Sequence, residues 1–269
     1  SGATACVEGE PGSYCEKGAI APVSCEPGTF GTATNLSAEG DCTNCPLGHF
    51  CVSGSVEPEP CPAGTYGDAQ GLGSAQCSGP CAKGHYCPAN STSSTQQPCP
   101  PGTMNSGFFG TDADACLPCG KGGFCEVGAV APTQCPSGRF GSSVHLTNAS
   151  CSGKCEQGYY CEVGSVSGKA APCAEGSYGN ATGLESQANC TACPEGHSCG
   201  VGVAQPTPCS AGSVAPNVSM ASCLKCAPGT MQPDEGQRNC TACGVGGYCM
   251  EGAVALTLCD EGSFGNATA

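Results

Sequence analysis

Cys25-Glu26-Pro27-Gly28-Thr29-Phe30-Gly31, a polar loop through Asn35, then Cys42-Thr43-Asn44-Cys45-Pro46-Leu47-Gly48-His49-Phe50-Cys51: this stretch holds the grammar of the whole chain. The motif C-x-x-G-x-[F/Y]-G begins again at Cys61, Cys135, Cys173 and Cys259, with looser copies at Cys99, Cys209 and Cys226. From Cys25 the starts at Cys61, Cys99, Cys135, Cys173 and Cys209 follow at steps of 36, 38, 36, 38 and 36 residues. A period in this range is the signature of a repeat array. The chain therefore divides into a partial repeat at 1–24, repeats at 25–60, 61–98, 99–134, 135–172 and 173–208, an irregular repeat with an inserted half-unit at 209–258, and the start of another at 259–269.

Such an array cannot rest on an apolar core. Leu, Ile, Val and Phe together number 32 in 269 residues and Trp is absent, whereas 29 residues are cysteine. That balance points to a covalently stapled scaffold of small disulfide-rich repeats. Gly and Pro interrupt every stretch and no apolar period of 3.6 residues is sustained. The expected architecture is an elongated rod of short β-hairpins and turns with almost no helix. Gly at the fourth motif position (Gly28, Gly64, Gly102, Gly138, Gly176, Gly212, Gly229, Gly262) is expected to supply a positive φ. Aromatic residues hold two registers: Phe30, Tyr66, Phe140, Tyr178 and Phe264 in one, Tyr14, Phe50, Tyr86, Phe124, Tyr160 and Tyr248 in the other, where they stand one or two residues from a cysteine. Rings packed against disulfides are the expectation. A third element, G-[A/S]-[V/I]-x-P, reads Gly18–Pro22, Gly54–Pro58 and Gly128–Pro132, with partial copies at Gly164 and Gly252. It predicts a turn entering an extended segment. Asn90 replaces its glycine in one copy, the substitution a left-handed backbone tolerates best.

The insertion bears on cysteine pairing. Between Cys209 and Cys243 the order is Cys209, Cys223, Cys226, Cys240, so one C-x-x-G unit with its long loop and closing cysteine has been added alone. If that unit is self-contained, Cys209 pairs with Cys223 and Cys226 with Cys240. By extension Cys25 pairs with Cys42, Cys61 with Cys77, Cys99 with Cys116, Cys135 with Cys151 and Cys173 with Cys190. The remainder form short loops: Cys6 with Cys15, Cys45 with Cys51, Cys81 with Cys87, Cys119 with Cys125, Cys155 with Cys161, Cys193 with Cys199 and Cys243 with Cys249. Cys259 is left over, and its expected partner lies beyond Ala269. A crossed scheme, Cys42 to Cys51 and Cys45 to Cys61, is the alternative; it strands Cys15 and leaves Cys223 and Cys226 to each other.

Eight N-x-[S/T] sequons start at Asn35, Asn90, Asn148, Asn180, Asn189, Asn217, Asn239 and Asn266. They mark N-glycan acceptors on the surface of a secreted chain, and all but Asn90 fall in the long loop between a C-x-x-G start and its next cysteine. An oxidising extracellular or cell-surface compartment, reached through the secretory pathway, accounts for both the cysteines and the sequons. Eight Lys and Arg against 22 Asp and Glu give a formal charge of −14, which argues against nucleic acid and anionic lipid as partners. No apolar run approaches the roughly 18 residues of a membrane span, and no signal-peptide pattern is present. The numbered segment reads as an excerpt of a longer array.

Catalytic and metal chemistry find little support. C-x-x-C at Cys42, Cys116, Cys190, Cys223 and Cys240, widened to C-x-x-x-C at Cys77 and Cys151, is also a zinc-ligand spacing, but no second pair recurs at ligand distance and disulfides are the reading. His49, His85 and His197 share a position that Ser13, Gly123, Tyr159 and Gly247 fill elsewhere, so none acts as a required ligand or base. His145 stands alone in a loop. Asp112, Asp114, Asp234 and Glu235 read as solvated charge rather than a calcium site. No nucleophile elbow, phosphate loop or H-E-x-x-H motif occurs, and neither an enzyme nor a cofactor is expected.

The strings C-P-L-G-H-F-C, C-P-A-G-T-Y-G and C-E-P-G-T-F-G resemble the ephrin-receptor-like cysteine-rich repeats, distant relatives of tumour-necrosis-factor-receptor modules, over nearly the whole chain. The resemblance implies an array of the kind found in protist and algal surface proteins, including mastigoneme glycoproteins of flagellar hairs. Two departures are the inserted unit at 209–240 and the absence of Pro-rich shafts. The function expected is that of an extracellular structural glycoprotein that assembles with itself into a filament or cell-surface appendage. The alternative is a receptor or adhesin stalk that binds a protein ligand, with Met220, Leu224, Met231 and Arg238 of the insertion, unmatched in other copies, as its epitope.

Overall fold

The computed structural model describes residues 9–263. Within that range the chain is built from two-residue strands joined by turns, and its helical content is three single 3-10 turns, Glu39–Asp41, Ala113–Ala115 and Gln187–Asn189. Each strand pair is antiparallel and local: Thr29–Phe30 pairs with Thr43–Asn44, and His49–Phe50 with Glu59–Pro60. Two-stranded pairs of this length have no independent stability, so other forces must hold them.

One such force is backbone hydrogen bonding between successive pairs. Every C-x-x-G start, whether it opens a long loop or a short one, forms one rung, and each 36–38-residue period of the sequence holds two rungs. Among the described residues the two aromatic registers thus occupy one structural position, the second residue of each rung's first strand; Phe264 lies outside them. The fourth-position glycine links its rung to the next in both directions. Gly28 donates its N–H to Cys51 O (2.8 Å), and its carbonyl accepts from Cys45 N–H (2.9 Å).

The chain forms two compact units, one of residues 1–120, 125–133 and 144–147, the other of residues 121–124, 134–143 and 148–269. In the first unit the ladder runs from Gly12 N–H to Gly31 O, Gly48 N–H to Gly67 O, Gly64 N–H to Cys87 O and Gly84 N–H to Asn105 O, each at 2.8 Å. The second has its own, from Gly138 N–H to Cys161 O through Gly158, Gly176, Gly196 and Gly212 to Gly229 N–H and Cys249 O, with lengths between 2.7 and 2.9 Å.

Sulfur supplies the core. The cysteines that open the rungs from Cys25 to Cys226 are 0–1% exposed, a degree of burial that Ala215 alone among the described aliphatic side chains matches. Of the rings, Tyr14, Phe50 and Phe124 are buried, while Tyr66, Tyr86, Phe140, Tyr160 and Tyr178 are half-buried and Tyr248 is exposed. The widened C-x-x-x-C spacing is absorbed as a bulge: Cys77 and Cys151 take φ of 49° and 51°, and Gly79 and Gly153 two residues later take 141° and 150°.

The turn closed by Asp41 makes a small pH-sensitive contact. Its Oδ2 accepts from Ser37 N–H (2.8 Å), the Ser37 hydroxyl (2.9 Å) and Ala38 N–H (3.0 Å), and these bonds, the Ser37 amide first, hold the carboxyl below its usual pKa. A depressed folded-state pKa contributes stability above the unfolded value and loses it as pH falls through the folded one. The equivalent turn at Asn189 uses Oδ1 for the same duty, accepting from Ser186 N–H (3.1 Å) without a titrating group. Amide chemical shifts of Ser37 and Ala38 should therefore titrate with a midpoint below that of an ordinary aspartate, and Asp41→Asn should leave them flat, as at Asn189. A midpoint at the ordinary value contradicts the assignment.

Candidate interaction surface

Loops, not strands, carry the exposed chemistry. From Gly54 to Gly252 each loop turns at a left-handed residue whose N–H is bonded to the opening-cysteine carbonyl of the preceding rung. Gly54 N–H bonds Cys25 O, Gly71 N–H bonds Cys45 O and Asn90 N–H bonds Cys61 O, at 2.9–3.0 Å. Gly54, Gly71 and Asn90 have φ of 77°, 77° and 67°, so Asn90 does stand where the other described short loops have glycine. The carbonyl of that loop residue lies against the fourth-position glycine two rungs earlier: Gly54 O on Gly12, Gly71 O on Gly28, Gly128 O on Gly84. Contact to the second neighbour sorts the loops of each unit into two columns.

In the first unit one column carries the short loops, closed by Cys45–Cys51 and Cys81–Cys87, and the other the long loops, closed by Cys25–Cys42, Cys61–Cys77 and Cys99–Cys116. The second unit begins in the same way, with long loops at Cys135–Cys151, Cys173–Cys190 and Cys209–Cys223 and short loops at Cys155–Cys161 and Cys193–Cys199. The inserted unit then exchanges them. Gly196, from a short-loop rung, receives Gly236 O from the long loop closed by Cys226–Cys240, and Gly212, from a long-loop rung, receives Gly252 O after the short bridge Cys243–Cys249. Adding one rung to an alternating array shifts its phase by one, so every later loop changes column. The ladder itself continues unbroken through the inserted unit, with Gly212 N–H bonded to Gln232 O.

The residues of the insertion are less distinctive than the sequence suggests. Met220 O accepts from Cys199 N–H as Leu36, Leu72, Leu146 and Leu184 O accept from Cys15, Cys51, Cys125 and Cys161. Met231 pairs across its hairpin as Met104 does, and Leu224 stands opposite Val214 as Leu117 stands opposite Met104. Arg238 forms an ion pair with Glu195. Met220, Leu224 and Met231 thus take positions that Leu or Met fills in other copies, which corrects the expectation that these three are unmatched.

Asn35, Asn90, Asn148, Asn180, Asn189, Asn217 and Asn239 are all exposed; Asn266 lies outside the described residues. The bridge Cys119–Cys125 completes the series, and the described bridges run in the sequential order rather than the crossed one. The Cys6 to Cys15 pairing falls on Cys6, outside the described residues. Cys259 is half-buried and unpaired among them. The two bridge types differ in exposure. Both sulfurs of the short bridge Cys45–Cys51 are fully buried, whereas the long bridges end on the half-exposed Cys42, Cys77, Cys116, Cys151, Cys190, Cys223 and Cys240.

His49, His85 and His197 each place Nδ1 3.0–3.1 Å from the carbonyl two residues back, a local turn contact. His145 is a left-handed loop residue (φ 63°) whose N–H bonds Cys119 O. Asp112 caps a turn by accepting from Asp114 N–H (3.0 Å), and Asp234 N–H bonds the Gln232 side chain. Among the described residues no group of His, Cys, Asp and Glu is placed to hold a metal, and no helix is long and apolar enough to cross a membrane.

What the geometry does offer is a crevice between a hairpin and the loop two rungs on. It is apolar around Phe109 in the first unit; in the second it is cationic at Arg139 and Lys154, and polar at Ser210, Ser213 and Lys225. Compared with models of known protein families and with curated proteins, the chain matches none. Its assignment rests on its own geometry, that of a disulfide-stapled repeat protein.

Proposed function

We propose that the chain is an extracellular structural glycoprotein whose repeats assemble, copy to copy, into a filament or cell-surface appendage of the mastigoneme-like kind, and that it acts as a scaffold rather than a catalyst. The observation carrying this reading is the ladder: within each unit every rung bonds to its immediate neighbour and its loop packs on the glycine of the second, so the array extends without changing its chemistry. Bridges within a rung suit an oxidising compartment. The exposed sequons on the long loops suit a glycan coat that shields strand edges. The resemblance to ephrin-receptor-like repeats belongs to the same proposal. The receptor-stalk alternative has less support from the insertion, because Met220, Leu224 and Met231 take positions that Leu or Met fills in other copies.

Electron microscopy of native, unreduced protein is the test, with intact mass before and after enzymatic removal of N-glycans. Regular filaments and a mass excess that the enzyme removes are expected. Single molecules at high concentration, or a mass equal to that of the bare polypeptide, overturn the assembly or the glycoprotein part respectively.

A further inference from the structure

An array lets each position be judged against its own equivalents. The left-handed loop position is held by Gly71, Gly183 and Gly236, or by Asn35, Asn90, His145 and Ser219; at 109 it is held by phenylalanine, with φ of 64°. A bulky L residue is strained there where glycine is not. The strain secures no core packing, because Phe108 and Phe109 are each 57% exposed. Phe109 instead forms one wall of a crevice of about 280 Å³ whose other walls are Thr65, Ala75, Gln76, Gly79 and Pro80. At its rim the Lys83 ammonium lies 5.1 Å from the centroid of the Phe108 ring. The long loops that build this crevice, those of 61–80 and 99–118, contain no sequon, whereas Asn35 and Asn148 mark the long loops on either side.

Exposed aromatics in strained backbone, in a part of the long-loop column without glycan acceptors, suit a contact surface. Charge selects its occupant. Lys17 and Lys83 are the cations among residues 1–120, and Lys83 has no carboxylate partner among the described residues. On a chain of net charge −14, self-contact needs an acidic segment to meet such a cation. The short loop Val56-Glu57-Pro58-Glu59 carries an exposed valine followed by two exposed carboxylates without an ion pair.

We propose that the Phe108–Phe109 crevice is the docking site for a second copy of this chain, which seats Val56 against the rings and brings Glu57 or Glu59 to Lys83. This rests on the reading that the chain self-assembles. Crevice and loop are different surfaces, so the contact is head-to-tail in type, the class that builds an open filament where its rotation does not close into a ring.

Sedimentation velocity and electron microscopy of the native chain test it, with the variants Phe108→Ser/Phe109→Gly, Phe109→Ser, Lys83→Glu, Glu57→Lys/Glu59→Lys, and the charge exchange combining the last two. Association of the double Phe variant is expected to weaken about tenfold or more, although its resistance to denaturant should equal or exceed that of the native chain, since glycine relieves the strain. Phe109→Ser, the residue of equivalent position 219, should weaken association while keeping the loop and adding no sequon. Each charge reversal should weaken association and their combination restore it. If the native chain never associates, the assembly reading falls and the docking site with it. If it associates and the Phe variants associate equally well, the docking site alone is wrong. If the Phe variants fail and the charge exchange restores nothing, the Val56–Glu59 occupant is wrong.

Discussion

Graded reduction of the native protein is expected to open its bridges in two steps and to end in loss of the whole fold. The first bridges to yield should be the long-loop ones, Cys25–Cys42, Cys61–Cys77, Cys99–Cys116 and their equivalents, because one sulfur of each sits on a half-exposed cysteine that an external thiolate can reach. The short bridges such as Cys45–Cys51, Cys81–Cys87 and Cys155–Cys161 are buried at both ends and should survive until the ladder around them opens. In the chain-entropy account each long bridge contributes about 3 kcal/mol and each short one roughly 2 kcal/mol. No apolar core stands behind them, since the most buried side chains are the cysteines themselves. Full reduction should therefore abolish the native circular dichroism and leave the chain open to protease. Alkylation of partly reduced protein followed by peptide mapping checks the order. Native dichroism after complete reduction refutes the sulfur core, and early labelling of Cys45 and Cys51 refutes the order.

Gly84→Ala should cost roughly 3–5 kcal/mol, at the upper end for a single added methyl group. Its φ is 78°, where an L side chain already costs about 1–2 kcal/mol, and a Cβ there would sit 2.2 Å from Gly128 O and 3.0 Å from Gly128 C. These are backbone atoms of a loop that Gly128 N–H ties to Cys99 O at 2.8 Å, so relief requires breaking the stacking of one rung on the second below. Gly128→Ala is the control. It has a comparable φ of 69°, but its nearest neighbours are side-chain atoms at 3.7 Å, so the expected loss is only the conformational part, about 1–2 kcal/mol. Denaturant unfolding under oxidising conditions, with proteolysis between the two sites as a local readout, separates them. Equal losses would mean that the carbonyl contact carries no load.

The two glycines show why part of this structure was legible in the sequence and part was not. Positive φ at the fourth motif position follows from the residue type, and so does the left-handed turn at Asn90, because local backbone preference depends on the side chain in place. Bridge order is likewise a local matter: the described loops close over 6 to 17 residues, and a lone inserted unit argues for self-closing ones. Low aliphatic content and abundant cysteine sufficed for the class of small stapled repeats with almost no helix. The contact of each loop with the glycine two rungs earlier spans some forty residues, from Gly84 to Gly128 for instance, and is made by backbone atoms, which leave no side-chain pattern to read. Hence the sequence by itself determined the period, the turn glycines and how each loop is stapled, while the rung, half a period long, emerged only from the strand pairing. Only the tertiary structure decided how rungs stack, and with that the two columns, their exchange after the inserted unit, the ordinary places of Met220, Leu224 and Met231, and the exposure of Phe109 in a strained turn; backbone hydrogen bonding between rungs is indifferent to the residues that those positions carry.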